Sequence, residues 1–256
     1  MAITTRSAFT YGHNITENNQ YINFVEDGIN ELAATIEIGS YYLNQFPDAI
    51  ASALNDIGDN IYEVTLDRTT RKITISADAN FDLLVTTGSQ VSISAFSLMG
   101  FTTNRSGADT YETDLETGFV YYPQAPLFEY ISFDDIEEAV SAKVNESSSG
   151  EIEVVSYGTR NFMECNIKYA TNIIGQQFIE DNASGVSDLR VFMQYITRKR
   201  PIEFIEDKTD FETYVPCLLE STPKSSDGVG FLLRELYAQK LANYYETGKI
   251  VFRKLN

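Results

Sequence analysis

The chain has 256 residues, 43 % of them hydrophobic, enough for one large or two small domains with a real core. Its net charge of −18 disfavours a nucleic-acid binder, whose phosphate contacts need clustered Lys and Arg, and disfavours docking on an anionic membrane surface. One histidine and two cysteines nearly exclude a Cys/His zinc centre and supply no disulfide framework, and no run approaches the ~18 apolar residues of a membrane span.

Residues 1–20 are polar, rich in Thr and Asn, and lack the apolar stretch of a signal peptide, so synthesis and folding in the cytoplasm are expected. They read as a flexible arm. Ile3, Phe9, Tyr11 and Ile15 are spaced along it as anchors. Such an arm could order against an adjacent copy by adding to that copy's open sheet edge. His13, the single histidine, lies in this arm and reads as ordinary surface. Tyr21 to Glu26 reads as a strand, Asp27-Gly28 as part of a turn, and Glu31 to Ile38 as a second strand, though a helix over 29–36 also fits.

The stretch from Gly39 to Phe101 has the clearest grammar. Phe46, Ile50, Leu54 and Ile57 fall on one face of an amphipathic helix, with Pro47 in its first turn and Gly58 as its left-handed cap. Tyr62, Val64 and Leu66, then Ile73 and Ile75, alternate with polar residues across the loop Asp67 to Arg71, which predicts a half-buried hairpin. A short helix over about Ser92 to Met99 ends at Gly100, and residues 102–117 read as loop.

The rhythm changes between Thr110 and Pro126, which places a domain boundary there: 1–118 before it, 119–256 after it. Asp134 to Glu138 is an acidic run whose spacing does not fit a calcium loop, and it reads as a solvated helix start or an exposed edge. Glu151 to Tyr157 and Phe162 to Tyr169 predict a hairpin across Gly158 to Asn161, with Met163, Cys165, Ile167 and Tyr169 inward. Ser187 caps a helix whose stripe is Leu189, Phe192, Met193 and Ile196 and which Pro201 stops. Arg198-Lys199-Arg200 is either a grip for an acidic or phosphate group or a set of cations on the helix C-terminus. Ile202 to Glu206 and Tyr214 to Glu220 read as strands, the second marked by Pro216 as edge or bulge. Phe231 to Leu241 reads as a helix, Thr247-Gly248 as a turn and Lys249 to Arg253 as a closing strand. Cys165 and Cys217 sit among strand-like residues and read as buried free thiols, with a disulfide between them left open.

Gly39, Tyr41, Leu54, Asn55, Asp67, Thr69, Leu98, Gly100 and Phe101 carry a Gly-x-Tyr entry, a helix ending in Leu-Asn, a strand–turn–strand and a Leu-x-Gly-Phe exit. Together they resemble a module of virion proteins from tailed phages and large DNA viruses, over roughly the first 115 residues. The second half, through its hairpin, its capped helix and the Tyr244 to Gly248 turn, loosely resembles the distal-tail family of long-tailed phages. The resemblance implies a bacteriophage tail or baseplate protein. It would be a virion structural subunit without a cofactor, forming a homo-oligomeric ring, commonly six-fold, that joins neighbouring tail proteins. A head–tail connector or neck protein would read similarly.

The chemistry is sparse. No Gly-x-Ser-x-Gly elbow, phosphate loop or dinucleotide fingerprint occurs, and any triad would have to use His13. The 37 Asp and Glu permit a carboxylate pair by abundance alone, and nothing marks two of them as buried. No enzyme is expected, and no catalytic, cofactor-binding or metal-ligating residue is singled out. The acidity serves solubility, or an acidic channel wall along which DNA slides. The expected fold is α+β, mainly antiparallel sheets with a few short helices in two sub-domains: an N-terminal virion-type module with its extended arm, and a β-rich assembly domain. A receptor- or carbohydrate-binding tail module, using Tyr121-Tyr122 and Tyr244-Tyr245 as its surface, is the alternative function.

Overall fold

The computed structural model describes residues 7–26, 28–123, 131–146, 148, 152–168, 170, 189–223, 230–235 and 245–255. In chain order the first elements are β1 (Ala8–Tyr11), β2 (His13–Ile15), β3 (Tyr21–Val25), β4 (Glu31–Thr35), β5 (Gly39–Tyr41), α1 (Phe46–Asn55), β6 (Tyr62–Asp67), β7 (Lys72–Leu83), α2 (Phe96–Met99), β8 (Arg105–Glu112) and β9 (Val120–Tyr121). There follow β10 (Ile131–Glu146), β11 (Ile152–Ile167), α3 (Leu189–Thr197), β12 (Ile202–Ile205), β13 (Val215–Ser221), β14 (Arg234–Glu235), β15 (Tyr245–Glu246) and β16 (Lys249–Lys254). The fold is α+β, dominated by antiparallel sheets with a few short helices, as the sequence predicts.

One hydrophobic core gathers around α1 and the sheet β4-β3-β7-β6, with β8 added to β7. Alternation builds it. Tyr62 and Val64 pair with Ala77 and Ile75, and their side chains, with Ile73, turn inward against Phe46, Ile50 and Leu54 of α1, all three fully buried. The Asp67 carboxylate accepts the N–H groups of Thr69 and Thr70 and closes the β6–β7 turn. Gly100 takes the left-handed conformation (φ 102°) that ends α2, where a Cβ would run into the Leu115 carbonyl.

Four expectations here need correction. The helix alternative over 29–36 gives way to strand β4 paired along β3. Gly58 is not a left-handed cap. Its role is close approach, since a Cβ there would meet Glu26 Oε1 at 2.6 Å and Leu54 O at 2.9 Å. Ile57 lies past the helix end and is exposed. Residues 105–112 are strand β8, not loop: Tyr111 pairs with Ile75 and is buried, while Gly107 and the surrounding polar residues hide the pattern.

The second core lies on the seven-stranded sheet β10-β11-β16-β13-β12-β1-β9, with α3 across one face. Leu189, Phe192, Met193 and Ile196 are buried as the helical stripe predicts, while Ser187 and Tyr169 lie outside the described residues. Phe192 is the hub: Tyr121 stacks on it at 4.5 Å, and Phe9 lies at 4.9 Å. Residues 7–15 of the segment read as a flexible arm are therefore interior, while Ile3 lies outside the described residues. β1 pairs with both β12 and β9, and Phe9 and Tyr11 are fully buried. Its neighbour strand β2 pairs with β5, which buries Ile15 in the other core. Own-chain partners supply the hydrogen bonds that the arm reading sought from an adjacent copy.

Three further readings change. The turn predicted at Gly158 to Asn161 lies inside β11, which runs unbroken from Ile152 to Ile167 and pairs with β10. Gly158 sits at a register shift, so it marks a bulge and not a turn. Pro216 is in an interior strand between β12 and β16. It is tolerated because its missing N–H points past the end of β16, where its carbonyl accepts the Leu255 N–H. Arg234–Glu235 is a strand paired to Tyr245–Glu246, which displaces the start of the helix read at Phe231; residues 236–241 lie outside the described residues.

Candidate interaction surfaces

His13 is buried, 3 % exposed, not surface. Its ring lies against Phe46 at 4.1 Å, and Nε2 is 3.0 Å from the Thr117 hydroxyl. That hydroxyl donates to Leu98 O at 2.9 Å. A hydroxyl has one hydrogen, so both contacts are satisfied when Nε2 carries the imidazole proton and donates. Burial pushes the His13 pKa down to about 3, keeping it neutral. Cys165 and Cys217 are buried free thiols, both shifted up by burial, and so poor nucleophiles.

The cations after α3 are turned to structural use. Lys199 (φ 58°) sends Nζ to Leu219 O at 2.5 Å, Arg198 Nη1 donates to Gln194 O, and Arg200 Nη1 donates to Ser40 Oγ. Tyr121 is fully buried and offers no surface platform. Tyr244 and the neighbouring residues 241–243 lie outside the described residues. Among the described residues no three His, Cys, Asp or Glu converge as a metal site. No helix among them is long and apolar enough to cross a membrane.

The two cores are braced by one buried ion pair. Arg68, on the β6–β7 turn, reaches Glu203 of β12 with Nη2 to Oε2 at 2.6 Å, the side chains 9 % and 1 % exposed. Arg68 Nε donates to Phe211 O, its guanidinium lies 3.6 Å from the Tyr214 ring centre, and Thr10 Oγ1 donates to the same Glu203 oxygen. An Arg in a polar turn carries no sequence signal for this role.

Two open surfaces stand out among the described residues. The first is the end of the β10–β11 hairpin. β16 pairs with β11 only from Phe162 to Asn166, so the pairs from Ala139↔Arg160 to Glu146↔Ile152 form a ribbon with no third strand among the described residues. At ~3.3 Å per residue it runs roughly 25 Å beyond the pairing with β16. Two opposed bulges re-aim it, one on Glu137 and Glu138 and one on Tyr157 and Gly158, so the acidic run lies in a strand. Ile152, at its tip, is 67 % exposed. The second is an open groove of about 520 Å³ along α1, walled by Thr35, Glu37 and Tyr41 on one side and Asp48, Ser52 and Asp56 on the other. No protein-family model, curated protein or solved structure matches the chain.

Proposed function

We propose that the chain is a structural subunit of a tailed-phage particle, forming a ring with copies of itself in the tail or tail tip and joining the neighbouring tail proteins there. The observation that carries this reading is the β10–β11 ribbon. A two-stranded ribbon standing alone is marginal in water, and its open edges invite pairing. A subunit that lays the ribbon over the next copy satisfies those edges once per contact, and closed rotational symmetry repeats the contact without leaving a free end. The braced pair of cores supplies the rigid body that such an arm needs at its base. In this role the protein needs no cofactor, and a net charge of −18 keeps it off nucleic acid and anionic lipid. Its place of work is the virion, after synthesis in the host cytoplasm.

The test is a variant in which residues 139–160 are replaced by a two-residue Asn-Gly turn. Native mass spectrometry should find a closed oligomer for the parent chain at micromolar concentration and a monomer for the variant, with both melting within a few degrees of each other. A parent chain that stays monomeric throughout, or a trimmed chain that still assembles, overturns the reading.

A further inference from the structure

We infer that the open edge of β4 and the groove beside it form a docking site for an extended, Lys/Arg-bearing segment of a partner protein, added as a further strand. The inference goes beyond the particle role and does not depend on it.

The edge follows from the ladder. Ile36 N–H donates to Gln20 O, so residue 36 faces β3, and with it Ala34 and Leu32 by the alternation of an antiparallel pair. Ala33 and Thr35 then present their N–H and C=O groups outward. β4 ends its sheet on that side, and no main-chain partner for these groups occurs there among the described residues. Thr35 is exposed and lines the groove directly, so an incoming strand would have both a hydrogen-bonding edge and a trough for its alternate side chains.

Charge selects the occupant. The first 118 residues carry sixteen Asp and Glu against five Lys and Arg. Arg68, Arg71, Lys72 and Arg105, four of those five, are engaged with Glu203, Glu116, Glu112 and Asp114. Glu37, Asp48 and Asp56 on the groove walls are exposed and form no ion pair among the described residues; Arg200, which reaches the groove lining, donates to the Ser40 hydroxyl and not to these carboxylates. A strand bearing Lys or Arg at alternate positions would place its cations against these carboxylates, while Ala49 and Ala53 leave room for its stem methylenes.

The probe is a fluorescein-labelled octapeptide alternating Lys and Thr, compared with its Glu–Thr counterpart by anisotropy at about 50 mM salt. The Lys–Thr peptide should bind the full chain at least about tenfold more tightly than the Glu–Thr one. It should slow amide hydrogen exchange at Ala33 and Thr35 by about tenfold or more. Asp48→Asn with Asp56→Asn should weaken it about tenfold. Thr35→Pro, which removes an outward N–H and leaves the β3 ladder intact, should abolish it with little change in melting. Absence of binding at low salt overturns the proposal. So does binding that is indifferent to Thr35→Pro and to both amides, which is charge attraction alone. Protection of the same amides that rises with protein concentration in the absence of peptide assigns the edge to a second copy and likewise overturns it.

Discussion

At the scale of the residue, His13 shows how polar neighbours conceal a core. Phe9, Tyr11, His13 and Ile15 alternate with Thr10, Gly12 and Asn14, a strict two-residue period. The period was legible; the Thr- and Asn-rich setting masked it. Gly12 is the pivot between the two sheets, because a Cβ there would collide with the Tyr41 carbonyl. Behind that pivot the imidazole is sealed against Phe46 and Thr117. Its pKa near 3 lies below the unfolded value of 6.5. As pH falls through 6.5 the unfolded chain takes up a proton that the folded one refuses, so stability is lost progressively toward pH 3. Model carboxylic acids have pKa values of about 4, so the interval from pH 7 to 5 is the one in which an imidazole is the group to read. Urea unfolding across that interval should show the parent chain losing stability relative to His13→Phe, by roughly 1–2 kcal/mol at pH 5. Parallel pH profiles for the two proteins would mean the ring is not sealed.

At the scale of the element, the chain was most legible where apolar spacing and punctuation agree. The helix residues Phe46, Ile50 and Leu54, the hairpin residues Tyr62, Val64, Ile73 and Ile75 and the stripe of α3 are buried as their periods indicate, while Leu66 is half-buried and Ile57 exposed. Legibility failed where a strand carries glycine or charge. β11 contains Gly158 in a bulge, and β8 carries Gly107 at φ 78°, so each imitates a loop. The groove was not legible, because an open strand edge depends on what fails to pair with it elsewhere in the fold. Leu54 offers a check on the first core. It is fully buried beneath β6, so Leu54→Ala should cost ~2–5 kcal/mol in urea unfolding, through lost burial and the cavity left behind. A cost under about 0.5 kcal/mol would mean the helix is packed on the sheet differently.

At the scale of the whole molecule, the two cores are held in register by more than the backbone crossings at Gly12 and Gly118. Tyr42 Oη donates to Cys217 O and Asn44 Nδ2 to Tyr214 Oη, both at a part-exposed rim. The centre of this contact is Arg68 against Glu203, where Arg68 Nη1 and Glu203 Oε1 have no hydrogen-bond partner among the described residues. A buried pair with open valences adds little net stability, but removing one member strands the other charge in a low dielectric. Glu203→Leu alone should therefore cost about 3–5 kcal/mol, and Arg68→Met alone a similar amount. The double variant, which leaves neither charge buried, should recover most of that loss. The coupling from the four proteins then measures the brace itself. Unfolding followed at once by near-ultraviolet circular dichroism and by exchange at the amides of β7 and β12 adds a second readout. In the parent chain both regions should unfold together, and in either single variant they should separate, because the contact that links the cores is the one disrupted. A coupling energy below about 0.5 kcal/mol, with both regions still unfolding together in the single variants, would locate the link between the cores in the crossings at Gly12 and Gly118 instead.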